Sequence, residues 1–356
     1  MRSAFLAAAA VMVSGLSFWA AGAEAQSAML TLPDVSQAAR ITQRIGITDI
    51  TIDYHRPLVR GRKIFGGLQP YGQVWRAGAN ANTTIAFSDP VAIEGQPLSK
   101  GTYGLHMIPG ERSWIIIFSR NSTSWGSFTY DTAEDALRVT VKPQAIEHHE
   151  ALSYEFNDPE LNSTVVTMRW ETVAVPFKIE VNTPAIVEQS LRNQLRSRVQ
   201  FEWQPWAEAA DYLLEHKLSA EEAAKDADRS IEIEDRFENE MTKAEALRAL
   251  GRTDEALATR RKALAMGTQV QVHGFGRGLL RQGRQDEALE VFRANIAKDP
   301  QSWVAHNETA RIAVARGDYD TAIKEMKLAV TVATGTMKSQ NSDLVTLLEH
   351  KVDINK

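Results

Sequence analysis

The sequence predicts two domains of different class: an all-β antiparallel sandwich over residues 26–183, then an all-α, tetratricopeptide-like helical repeat region over 184–356. Three observations carry this. Short β-branched and aromatic segments recur with turn signals roughly every eight to twelve residues, and no helix-length segment separates them. After Asn182-Thr183-Pro184, glycine becomes sparse and apolar residues fall at three- and four-residue spacing. A glycine-led unit then recurs at Gly251, Gly283 and Gly317, 32 and 34 residues apart.

The chain opens with a short positive region at Arg2, an apolar run from Ala4 to Ala21, and Ala23-Glu24-Ala25 before Gln26. That order predicts a secretory signal peptide over residues 1–25. An uncleaved anchor is the alternative, and the small-residue cleavage box argues against it. No later stretch is long and apolar enough to span a bilayer. The expectation is a periplasmic or secreted protein with no membrane span after cleavage. The sequence has no cysteine, which excludes disulfides, a thiol nucleophile, a cysteine metal site and a lipidated N-terminal cysteine. Stability must therefore come from core size. A net charge of −5 gives no basic footprint of the kind nucleic-acid binding leaves.

The strands read in order as "GITDITIDY", "TTIAFS", "VAIEG", "TYGLHMIPG", "SWIIIFS", "LRVTVKP", "ALSYEF", "STVVTMRW" and "FKIEV". The continuous apolar run Ile115-Ile116-Ile117-Phe118 marks a strand inside a sheet, covered on both faces. In the helical half, "AIVEQSLRNQLRSRV" and "WAEAADYLLEHK" have amphipathic spacing. "GRTDEALATRRKAL", "GRQDEALEVFRANI" and "GDYDTAIKEMKLAV" align with Ala256, Ala288 and Ala322 at equivalent positions, and Pro300 falls near a turn. Repeats cover about 235–335, with a plain helical bundle as the alternative. Stacked pairs leave a concave surface suited to a protein or peptide partner.

The stretch 54–88 contains no acidic residue but five basic ones, Arg56, Arg60, Arg62, Lys63 and Arg76, with His55, two tyrosines and Trp75. Guanidinium groups without a nearby acid suit a phosphate, sulfate, carboxylate or anionic sugar. The competing reading pairs them with acids from elsewhere, such as Asp49, Asp53, Glu94 or Asp131. His55 and His106 both fall on strands. No third ligand and no H-x-H or H-E-x-x-H spacing accompanies them, so no metal site and no cofactor are expected. Adjacent His148 and His149 point to opposite faces of a strand. No G-x-S-x-G elbow selects a nucleophile. "HGFGRG" at 273–278 lacks the lysine-serine ending of a phosphate loop, and its glycines suit close helix packing instead.

Long motifs, "YHRPLVRGRKIFGGLQPYGQVWRAGANANTTIAFS", "GQPLSKGTYGLHMIPG", "WIIIFS" and "DALRVTVKP", resemble the bacterial domain-of-unknown-function family 2911 over about residues 40–180. Tyr54, His55, Arg56, Pro57, Arg60, Gly61, Arg62, Gly72, Trp75, Arg76, Gly78, Ala79 and Asn80 match its motif. The resemblance implies an exported bacterial protein whose β domain is followed by helical repeats. It implies no mechanism, and no catalytic role is carried over.

The residues favour a binding protein over an enzyme. Its candidate ligand site comprises His55, Arg60, Arg62, Trp75, Arg76, Asn80 and His106, with an anionic ligand there and a protein partner on the repeats. The alternative is a periplasmic hydrolase acting on an envelope carbohydrate or phosphate ester. In it, His55 and His106 would be acid/base groups beside the arginines.

Overall fold

The computed structural model describes residues 33–356, so the signal peptide expected over 1–25 lies outside the described residues. The β domain contains β1 (Gln37–Ile45), β2 (Thr48–Arg56), β3 (Thr84–Phe87), β4 (Val91–Ile93) and β5 (Gln96–Leu98). They are followed by β6 (Gly101–Ile108), β7 (Trp114–Ser119), β8 (Asp135–Val141), β9 (Gln144–Asn157) and β10 (Ser163–Glu180). One sheet has six strands in the order β1-β2-β3-β6-β7-β8, and the other has four, β5-β4-β10-β9. Every pairing is antiparallel.

Alternation sets the faces. Ile50, Ile52 and Tyr54 of β2, and Leu105 and Met107 of β6, meet Val166, Met168 and Phe177 of β10 in one shared core, which makes the domain a sandwich. Strand β7 lies between β6 and β8, and there Ile116 and Phe118 enter the core. Ile117 is fully buried on the opposite face, so the apolar run is indeed covered on both sides.

The helical half contains α1 (Thr183–Gln194), α2 (Trp203–Glu215), α3 (Ala220–Ile233), α4 (Phe237–Ala249) and α5 (Thr253–Met266). Next come α6 (Gln269–Arg281), α7 (Gln285–Ile296), α8 (Trp303–Val314), α9 (Tyr319–Val332) and α10 (Gly335–Glu349). Helices α2/α3, α4/α5, α6/α7 and α8/α9 form successive pairs. The repeat glycines have a physical reason: Gly251, Gly283 and Gly317 take φ of 74°, 75° and 77° where the first helix of a pair ends. Lys217 and Lys351 hold the same left-handed conformation after α2 and α10, with φ 52° and 56°. The repeat register therefore extends one unit in each direction beyond the glycine-marked ones. Ala256, Ala288 and Ala322 are buried where the second helix of each pair closes on its neighbours.

Within "HGFGRG" only Gly276 is a close-approach site: a Cβ there would run into the Phe292 ring. Gly274 meets nothing, and Gly278 only the tip of Arg281.

Candidate functional site

The loop joining β2 to β3 builds a cleft. Its first segment runs beside β9: Val59 N–H donates to Glu150 O (2.9 Å), and Leu152 N–H donates to Pro57 O (3.0 Å). Arg60 and Gly61 then turn the chain with φ of 50° and 68°, closed by Arg62 N–H to Val59 O at 3.1 Å. Two successive positive φ values define a type I′ turn, which places Arg60 at an exposed tip. Further along, Ala77 (φ 51°) and Asn80 (φ 54°) also adopt the left-handed region. Non-glycine residues there cost on the order of 1–3 kcal/mol each and concentrate at ligand sites.

The resulting cleft holds about 350 Å³, and Arg60, Arg62, Arg76 and Asn80 are among its walls. Among the described residues, none of the three guanidiniums contacts a carboxylate. Arg62 donates to Val59 O (3.0 Å) and Leu58 O (2.6 Å), which fixes the group without neutralising it. Arg76 donates to Asn80 O at 2.5 Å and lies against the rings of Trp125 and Phe128, 5.4 and 5.5 Å from their centroids. Burial lowers the Arg76 pKa from its ordinary value. Arg60 makes no side-chain hydrogen bond among the described residues; its backbone N–H donates to Glu150 Oε1 at 2.9 Å.

Glu150 lies beside Arg60, whose backbone N–H and charge help to lower its carboxyl pKa, but the four acids that the sequence offered as partners are engaged elsewhere. Asp49 pairs with Arg44 and Asp53 with Arg40. Glu94 accepts from Lys178 N–H, and Asp131 caps Ala133 N–H.

Residues 36–179 match the family described as Protein of unknown function (DUF2911). The match lies within the β domain. Among curated proteins no relative matches the sequence. Three solved structures show weak likeness. A chain of the APC/C hetero-tetramer Cut9-Hcn1 is 19% identical over 42% of this chain, TM-score 0.28. This chain spans only 28% of that one. YrrB, a TPR protein with an unusual peptide-binding site, is 16% identical over 46% of this chain and 84% of its own, TM-score 0.26. MamA is 14% identical over 45% of this chain and 92% of its own, TM-score 0.29.

The remaining expected site residues, Trp75, His55 and His106, are not among the cleft lining. Trp75 is a core residue: its ring stacks on Trp170 at 5.7 Å, and its Nε1–H donates to Gly78 O at 3.1 Å. Trp170 itself reaches the cleft wall. His55 and His106 lie on the same outer face of the six-stranded sheet, because the register aligns Asp53 with Thr84 and Thr84 with Gly104. Strand β3 lies between them, which sets their backbones about 10 Å apart. His55 Nε2 stands 3.4 Å from Asp34 Oδ2. His106 is sealed under the segment joining β7 to β8, with Nδ1 2.9 Å from Ser127 Oγ and its ring beside Tyr130. Burial holds it down at about 4, so it is neutral near pH 7. Neither histidine faces the arginines as an acid/base pair would.

Two cleft-side residues had not been singled out in the sequence, Trp125 and Phe128. They are 66% and 77% exposed and stack on each other at 6.0 Å. A signal was available, since two large aromatics in the polar loop "NSTSWGSFTYD" have no core reason to be there.

The helical half has a groove of about 450 Å³ on α6, α8 and α10. His273, Asn307 and Asn341 face it from repeat-equivalent positions. Asn307 Nδ2 donates to Asn341 Oδ1 at 2.8 Å, while Asn341 Nδ2 is buried without a partner among the described residues.

Proposed function

We propose that this chain is an exported binding protein whose DUF2911 domain holds a small anionic ligand in the arginine cleft. The observation that supports this reading best is the convergence of Arg60, Arg62 and Arg76 on one cleft in which, among the described residues, Arg62 and Arg76 have no carboxylate partner and Arg60 has Glu150 beside its backbone. Charged guanidinium groups are strongly hydrated or paired when they serve the fold alone. Here Arg62 and Arg76 are fixed by neutral carbonyls and aromatic faces, which preorganises positive charge for an incoming anion. Trp125 adds a flat apolar wall, suited to a ligand with an organic body beside its anionic group.

The test uses the full chain, titrated with inorganic phosphate, sulfate and acetate at constant ionic strength and followed by tryptophan fluorescence. A saturable response that weakens at least tenfold in Arg60→Ala/Arg62→Ala supports the reading. An unchanged response in that variant, or no saturation by any of the three anions, removes it.

The groove on α6, α8 and α10 favours a second role, binding a protein or peptide partner on the repeats. Unpaired Asn341 Nδ2 offers a donor there for a peptide carbonyl. Pull-down from an envelope extract with wild type and with Asn341→Arg tests it. A partner retained equally by both excludes the groove. Export rests on the residue pattern of 1–25, and cell fractionation decides it.

A further inference from the structure

A second pocket, of about 290 Å³, lies among α1, α2 and α3. Its walls are largely apolar: Leu191 and Leu195 from the end of α1, Trp206 and Leu213 from α2. The Trp206 indole is fixed by donating to Gln200 O at 3.0 Å. Ala223, Ala224 and Ala227 allow α3 to close on α2, and the cluster they join is small and apolar. Into this setting α3 places Asp226, only 8% exposed. Asp226 makes no hydrogen bond and no ion pair among the described residues, yet it lines the pocket.

The other charged groups around the pocket have partners. On α1, Arg192 is held by Glu188 at 3.0 Å, and Arg196 just beyond it by the Asn193 side chain. On α3, Lys225 stands 3.5 Å from Glu222. Helix α2 contributes no charged wall, and α4, which also packs on α3, contributes none of the lining. Arg196 has a neutral amide as its partner, whereas Asp226 has neither a hydrogen bond nor an ion pair among the described residues. A lone carboxylate in an apolar recess costs several kcal/mol unless it is protonated or a cation joins it. Burial, with Glu222 adding in the same direction, raises the Asp226 pKa to about 7, while Arg192 and Lys225 act the other way.

We propose that this pocket binds a primary alkylammonium group, its carbon chain against Trp206, Leu191 and Leu195 and its charged head on Asp226. The chemistry fits at each end. The recess removes apolar area from water, and the indole face attracts a cation as the carboxylate does. A lysine side chain of a partner and a free aliphatic amine share this chemistry. The site is separate from the arginine cleft and from the groove on α6, α8 and α10, so its fate is independent of theirs.

The experiment follows the Trp206 indole resonance of the full chain, assigned by Trp206→Phe. The probes are n-butylammonium and Nα-acetyl-lysine-N-methylamide, with n-butanol as the neutral control. At pH 8 at least one ammonium probe should saturate the shift while n-butanol does not. The tighter of the two then tells whether a free amine or a lysine side chain is preferred. Both probes stay protonated to pH 8, so the pH dependence reports the carboxylate. Affinity should rise about tenfold from pH 6 to pH 8 as Asp226 ionises. Asp226→Asn should abolish binding and its pH dependence, and Asp211→Asn on α2 should leave both intact. If Asp226→Asn does not fold, Glu222→Gln serves instead and should weaken binding several-fold. Equal affinity for n-butanol, no saturation by either ammonium probe, or binding retained in Asp226→Asn overturns the proposal.

Discussion

The β domain draws apolar side chains from both sheets into a single core, whereas the helical half divides its own among three smaller clusters. Buried polarity follows the same division. In the β domain, His106 is set apart on the outer sheet face. In the repeats a polar network runs through the packing itself. Glu308 Oε1 accepts from Asn295 Nδ2 (2.8 Å) and lies 3.1 Å from His273 Nδ1. Arg311 donates to Asn307 Oδ1 (2.9 Å) and Ile354 O (2.5 Å). A sandwich closes non-locally, so one core must serve every strand. A stacked repeat needs only its neighbours, and its small cores leave room for polar groups that fix the order of stacking.

The largest expected effect tests that division directly. Trp114 is 1% exposed and packs edge-on against Phe65 at 4.7 Å. Trp114→Ala should cost about 3–5 kcal/mol and unfold the β domain as one unit. Helical far-UV ellipticity should survive the loss of the near-UV tryptophan signal in the same melt. Coincident loss of both signals would break the comparison by showing one cooperative unit.

Acid and base should separate the two regions next. His106 is held at about 4 from an ordinary 6.5 by burial, so the folded β domain keeps it neutral. Its contribution is present above pH 6.5 and lost as pH falls towards 4. Glu308 goes the other way: burial raises it to about 8 from 4.5, and folding favours its protonated form. That contribution is complete below pH 4.5 and lost as pH rises through 8. The slope reaches at most about 1.4 kcal/mol per pH unit for one group. His273, lowered to about 3 mainly by burial, opposes Glu308 only below its ordinary 6.5. Between pH 6.5 and 8 the helical half should therefore lose stability while the β domain does not. Domain-resolved melts at those two pH values check this, and Glu308→Gln should flatten the helical slope.

A smaller contrast lies within one helix. Gly276→Ala places a methyl against the buried Phe292 ring and should cost about 1–3 kcal/mol by overpacking. Gly274→Ala, two residues away in open space, should stabilise α6 by up to about 1 kcal/mol. Equal shifts in urea midpoint would mean that the Phe292 contact does not decide the site.

Much of this was legible in the sequence because the signals were local. Strand alternation, the change of period after Asn182, and the glycines at helix ends each depend on a few adjacent residues. The first and last repeat registers were hidden because Lys217 and Lys351 carry the left-handed turn without the glycine that normally marks it. The acid-free stretch showed where positive charge gathers. It did not show that Trp75 faces the core while Trp125, fifty residues later, faces the cleft. That distinction depends on which loops the sandwich brings together. The lone Asp226 was equally hidden: an aspartate on an amphipathic helix reads as solvated until α1 and α2 close over it.

The smallest expected effect on stability carries the most information about function. Arg60 holds a left-handed φ of 50° at the tip of its turn, where glycine is at ease and arginine is not. It makes no side-chain hydrogen bond that would explain the choice. If the fold alone selected this residue, Arg60→Gly would cost stability. Relief of the left-handed strain, set against glycine's extra chain entropy, instead predicts a change between zero and about 1 kcal/mol in favour of the variant. Phosphate or sulfate affinity should fall in the same protein, since one of the three guanidiniums on the cleft is gone. Arg44→Ala supplies the contrast, because Arg44 is an exposed residue paired with Asp49 across β1 and β2, where a surface ion pair contributes little, and it is absent from the cleft lining. A variant that melts higher and binds less tightly identifies strain kept for a ligand. One that melts lower with affinity unchanged returns Arg60 to the fold and leaves Arg62 and Arg76 as the site.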